Sequence, residues 1–143
     1  GLMCLNIFCE KDSAKYKSLM PYAQSLGAAF QKVNFLRDVK SDYQQLERTY
    51  FPDVDFRNFT ADIKESIEAE IMADFAYAYK GITQLPLKAR FGVYVAYKYY
   101  LSLFKKIKRT QAAKILDQRI RIPNYSKVMI VVRARVKNQL NLI

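Results

Sequence analysis

At 143 residues and 16.7 kDa, with 51% hydrophobic residues and only four Gly and four Pro, the chain is long enough for one ordered domain with a buried core. It is too sparsely punctuated for a many-turned β fold. The absence of histidine excludes His-based general-base and triad chemistry, and two cysteines five residues apart make neither a zinc site nor a disulfide framework, so a cytoplasmic protein is expected. A formal charge of +11, from 24 Lys+Arg against 13 Asp+Glu, calls for an anionic partner: nucleic acid, an acidic membrane surface or a polyphosphate ligand.

The opening Gly1-Leu2-Met3-Cys4-Leu5-Asn6-Ile7-Phe8-Cys9 reads as the tail of a buried helix with no cap before it, so the chain is expected to be a piece of something longer. Glu10 to Ser13 is turn-like. The next helix is expected to begin near Lys17 to Met20, which places Pro21 in a first turn where its missing N–H costs little. Tyr22, Leu26, Ala29, Phe30, Val33 and Leu36 then keep an apolar stripe at helical spacing, and Gly27 with Ala28 and Ala29 would permit a close helix crossing.

On that helix Asn34, Asp38 and Asp42 recur every four residues, with Gln31 extending the column. Two aspartates at this spacing repel by roughly 0.2–0.5 kcal/mol, and Asp is a poor residue for a helix interior, so a compensating charge is expected. A hard divalent cation such as Mg²⁺, which takes oxygen ligands and shares them with substrate phosphates, would supply it. A solvated face that carries two Asp looks the same, and spacing alone favours that plainer reading. The helix is expected to fade between Asp42 and Glu47.

Arg48 to Asp55 is expected to be a loop, because Pro52 disfavours helical geometry at Phe51. Thr60 can cap a helix from Ala61 to about Lys80, with Ile63, Ile67, Ile71, Phe75 and Ala78 turned inward. Pro86 suits the first position of a helix running to about Arg109, which carries Phe91, Tyr94, Tyr97, Tyr99, Tyr100 and Phe104. Interleaved with lysines, these rings could stack bases, but at helical spacing they are more often core or the wall of an apolar pocket, and no nucleic-acid partner is expected. A short helix around Gln111–Asp117 and an extended connector, Arg119 to Asn124, precede a last helix from Tyr125 to about Asn138. Its Val128, Met129, Val131, Val132 and Val136 stand beside Lys127, Arg133, Arg135 and Lys137. A solvated surface helix is the plain reading of this basic end, with peripheral contact to an anionic membrane as the alternative.

Leu26-Gly27-Ala28-Ala29-Phe30-Gln31-Lys32-Val33-Asn34-Phe35-Leu36-Arg37-Asp38-Val39-Lys40-Ser41-Asp42, followed by Arg48-Thr49-Tyr50-Phe51-Pro52, resembles the second aspartate-rich region of the squalene/phytoene synthase family. The likeness continues through Leu85-Pro86, Tyr97 to Phe104 and Arg119-Ile120-Arg121-Ile122-Pro123, so it covers nearly the whole chain. It implies an all-α helical bundle of the isoprenoid synthase type, with residues 1–143 as the C-terminal part of such a domain. The implied activity is the head-to-head condensation of two prenyl diphosphates, geranylgeranyl or farnesyl, through a cyclopropyl diphosphate. By the resemblance Asp38 and Asp42 are Mg²⁺ ligands, Asn34 lies beside the metal and Gln31 faces the same cavity. Arg48 and Arg121 are candidates for phosphate contact, and Tyr100 matches a tyrosine near the diphosphate.

The family places two acidic helices face to face, whereas this sequence carries a single DxxxD. A chain with half the ligands is expected to bind Mg²⁺–diphosphate weakly, to be inactive alone and to self-associate through uncovered apolar surface. The alternative within the same fold is a non-catalytic helical assembly or scaffold protein. Such relatives tend to lose the acidic column, which is intact here.

Overall fold

The computed structural model describes residues 1–10, 12–42, 60–117, 120–140 and 143, of which residues 39–42, 113, 116 and 117 are described by backbone alone. These residues form six helices and no strand: α1 Leu2–Phe8, α2 Ser13–Asp42, α3 Ala61–Ile82, α4 Leu87–Lys108, α5 Ala112–Asp117 and α6 Asn124–Gln139. The all-α expectation holds.

Local chemistry sets most of the boundaries. Asp12 accepts hydrogen bonds from the amides of Ala14 and Lys15, both at 3.0 Å, so α2 starts at Ser13 rather than near Lys17 to Met20. Pro21 therefore lies inside α2, not in its first turn. It is exposed, as is Lys17, whose carbonyl it leaves without a helical partner. Thr60 caps α3 as anticipated, accepting from the Ile63 amide at 3.4 Å, and Pro86 stands immediately before α4. The expected loop over Arg48 to Asp55 lies outside the described residues.

The core forms where α2, α3 and α4 meet. Ala29, Val33 and Leu36 of α2 are fully buried against Ile71 and Phe75 of α3 and Phe104 of α4. Phe75 meets Tyr97 edge-on at 5.6 Å, and Tyr79 packs on Tyr94 and Tyr97, which makes the aromatic face of α4 core rather than a stacking platform for bases. Burial, with Tyr79 adding to it, raises both Tyr94 and Tyr97 above the usual phenol pKa.

Helices α2 and α3 run antiparallel and are pinned along their length. Ser25 donates to Asp74 Oδ1 at 2.9 Å, and the Lys32 ammonium reaches Asp74 at 2.8 Å and also Glu70. At the far end Gly81 lies against Tyr22 so closely that a Cβ on it would stand 2.3 Å from the tyrosine Cβ. This is the tight crossing the sequence suggested at Gly27. A Cβ at Gly27 would meet nothing within 4 Å, because that residue borders open space.

A second cluster joins Leu5 and Cys9 to Leu19 and Leu85. Of α1 only Leu5 is buried within the helix, while Met3 and Ile7 are exposed, so the opening stretch is a half-covered surface helix and not the buried one expected. On the other side Lys64 and Glu68 form a buried ion pair, and the Lys64 ammonium donates at 3.1 Å to the Lys108 carbonyl at the end of α4.

Candidate functional site

The last turns of α2 carry the polar column onto α4. Val33, Leu36 and Phe35 anchor the helix in the core, which leaves Asn34 and Asp38 at its edge, each half-buried. The Asn34 Nδ2 donates to the Tyr100 hydroxyl at 3.3 Å, so the polar column and the tyrosine of α4 meet directly. Tyr100 is in turn stacked on Phe30, with ring centroids 4.0 Å apart and planes 18° from parallel, and Tyr99 meets it edge-on.

Two features give the site its chemistry. The Asn34 Oδ1 is buried and has no hydrogen-bond partner among the described residues, a position that costs free energy unless a cation or a donor fills it. Beside it the Asp38 carboxylate accepts from Arg37 Nε at 3.0 and 3.1 Å, and from the Arg37 Nη2. These hydrogen bonds raise the Arg37 guanidinium above its usual pKa, against the opposing effect of burial and with the Asp38 charge adding to them. The Asp38 side chain is 15% exposed, so the carboxylate is half-buried rather than on an open face as the sequence implied.

A carboxamide oxygen and a carboxylate are hard oxygen donors, the set that suits Mg²⁺ and disfavours soft metals. Among the described residues no group of three or more His, Cys, Asp or Glu comes together. The Asp42 backbone continues α2 in register with Asp38, and its side chain lies outside the description.

Next to this column lies an apolar cavity of about 590 Å³ between α1, α2, the end of α3 and α4. Leu26 and Phe30 form part of its wall, and exposed Gln31 stands at its polar edge. Phe30 therefore has two roles, as cavity wall and as the ring under Tyr100.

The other expected site residues are placed differently. Arg48 lies outside the described residues. Arg121 is exposed in the connector before α6, where its carbonyl accepts from Lys106 at 2.6 Å and ties the connector to the end of α4. Arg37 is the residue that spacing missed: neighbours in a helix do not face each other, so periodicity gives no sign that it reaches Asp38. Only the Arg-Asp pair within the motif singles it out.

A protein-family model described as squalene/phytoene synthase matches residues 1–126. No curated protein and no solved structure matches the chain.

Proposed function

Because the chain belongs to the squalene/phytoene synthase family, whose members are prenyltransferases of isoprenoid biosynthesis, we propose that the Asn34–Asp38–Asp42 column is the diphosphate end of a prenyl-diphosphate site and the adjoining cavity its hydrocarbon end. The observation that carries this reading is the buried Asn34 Oδ1, without a partner among the described residues, one helical turn before Asp38 on the same helix whose Leu26, Phe30 and Gln31 line an apolar cavity. The substrate has the same two-part character: an anionic head and a long apolar tail.

The family is divalent-metal dependent, and Asn34, Asp38 and Asp42 would hold Mg²⁺. When bound, the ion supplies positive charge to the leaving diphosphate. The chain's own residues do the rest. Tyr100 accepts from the Asn34 amide and fixes it, which leaves Oδ1 as the group for a ligand to meet. Phe30 and Leu26 keep the prenyl tail dry, which protects a carbocation from capture by water. Arg37, which contacts Asp38, and Arg48, by the resemblance, are the candidate cations for phosphate oxygens near the column. Arg121 stays a candidate for phosphate contact on the resemblance alone.

One DxxxD is half of the ligand set that the family's chemistry uses. The proposed activity of these residues alone is thus weak Mg²⁺-dependent binding of geranylgeranyl or farnesyl diphosphate, with condensation only where a second acidic helix faces the column. Calorimetric titration with either diphosphate, with and without Mg²⁺, tests this. Metal-dependent binding that disappears in Asp38→Ala supports the assignment. Binding that ignores both the metal and that substitution removes it, and leaves a scaffold protein of the same fold.

A further inference from the structure

Helix α6 is inverted. Ser126, Ile130, Ala134 and Asn138, spaced by four, form its inward line, and the residues two positions away from them, some 200° round the helix, face outward. Those residues are apolar: Val128 is 63% exposed, Val132 52%, Val136 49% and Leu140 63%, with Tyr125 at 73% beside them. A soluble surface helix has the opposite arrangement, with its polar side to water. The stripe is flanked by charge of one sign. Helix α6 carries Lys127, Arg133, Arg135 and Lys137, the end of α4 packed beside it adds Lys105 and Lys106, and neither helix contains an Asp or Glu.

We infer that the outward stripe of α6 and its flanking cations dock the protein on an anionic lipid surface, with the valines entering the headgroup boundary and the cations meeting lipid phosphates. Charge complementarity selects this occupant. A second copy of the chain docking isologously through the stripe would bring the same cations face to face, with no carboxylate on either helix to pair with them. An anionic bilayer satisfies apolar stripe and cations together. Beside the stripe Lys105, Lys106, Arg109 and Arg133, with Ile122 and Met129, line a cleft of about 640 Å³ whose charge suits a headgroup phosphate. Burial, reinforced by the charges of Lys105, Lys137 and Arg133, pushes the Lys98 ammonium below its usual pKa, in line with a positive field around it. Apart from Tyr125, the stripe lies beyond residue 126, where the family match ends, and it stands independently of the chemistry at the acidic column.

Co-sedimentation of the chain with vesicles of phosphatidylcholine plus phosphatidylglycerol, and with phosphatidylcholine alone, tests the inference. Expected are partition onto the anionic vesicles only, its loss at high salt, and a weakening of about fivefold for each of Arg133→Gln and Lys137→Gln. Val132→Glu with Val136→Glu should abolish partition while the far-UV dichroism and melting curve stay unchanged, since both side chains face outward. If that double variant fails to fold, the two charge variants decide alone. Three results overturn the inference: no partition onto anionic vesicles, partition that the valine and charge variants leave unaltered, or a lipid-free dimer that the valine variants dissolve. Tighter binding to RNA or DNA than to the vesicles at the same salt overturns it as well.

Discussion

The Asn34 amide donates to the Tyr100 hydroxyl across the contact of α2 with α4, while its own oxygen is buried with no partner among the described residues. Among the described residues, one side chain is thus half satisfied. Tyr100→Phe removes the partner and leaves the whole amide unpaired, so melting should fall by about 1–3 kcal/mol in stability. Asn34→Leu removes the orphan, and should be neutral or stabilising in the same melts. Both variants should lose Mg²⁺-dependent diphosphate binding by calorimetry, which separates the amide's role in the site from its role in the fold.

At Asp38 the contest is between an internal guanidinium and an external cation. Arg37→Gln withdraws the guanidinium, and Mg²⁺ affinity should rise in a titration followed by calorimetry. Asp38→Ala and Asp42→Ala should each abolish metal-dependent binding here. In an enzyme that also supplies the facing acidic helix, each should lower pyrophosphate release by on the order of a hundredfold or more, because under the proposed function both groups would act mainly in the transition state.

The two glycines of the α2–α3 region should respond in opposite directions. Gly81→Ala forces a Cβ to 2.3 Å from Tyr22 and should cost at least about 2 kcal/mol, because backbone must move to relieve it. Gly27→Ala meets nothing and lies inside a helix, so it should stabilise by about 0.5–1 kcal/mol. Denaturant midpoints for the pair measure this directly.

Alkaline pH should weaken the fold through Lys32, Tyr94 and Tyr97. Burial lowers the Lys32 pKa, but hydrogen bonds to Asp74 and Glu70 more than reverse this, leaving it raised; burial raises the two tyrosines outright. A group with a raised folded-state pKa binds its proton more tightly in the native state. Its stabilisation is therefore complete below the unfolded pKa, about 10 for Tyr and 10.4 for Lys, and is lost as pH rises through the folded value. Melting temperature should fall above about pH 10, and Lys32→Gln and Tyr97→Phe should each flatten that slope.

Much of the helical plan was legible in the sequence. Thr60 and Pro86 announce the starts of α3 and α4 because each acts on its own backbone, and a local cause leaves a local mark. The start of α2 was misplaced because Pro21 looks like a first-turn residue until Asp12 is seen to cap the helix earlier. The acidic column was visible at its four-residue spacing, whereas the grip of Arg37 on Asp38 depends on a side chain turning back along its own helix. The inversion of α6 is not legible in the sequence, because valines and cations alternate along it and only packing decides which set faces inward.

Three contacts, Tyr22 on Gly81, Ser25 on Asp74 and Lys32 on Glu70 and the same Asp74, fasten α2 to α3. Mechanically such a pair behaves as a single beam: α2 can neither slide along α3 nor roll about its own axis without breaking a steric stop at one end and a charged clasp at the other. The acidic column rides on that beam and keeps its aim. If the cavity takes a prenyl chain as proposed, the part that yields to admit it belongs to the opposite wall, where α1 and α4 border the cavity.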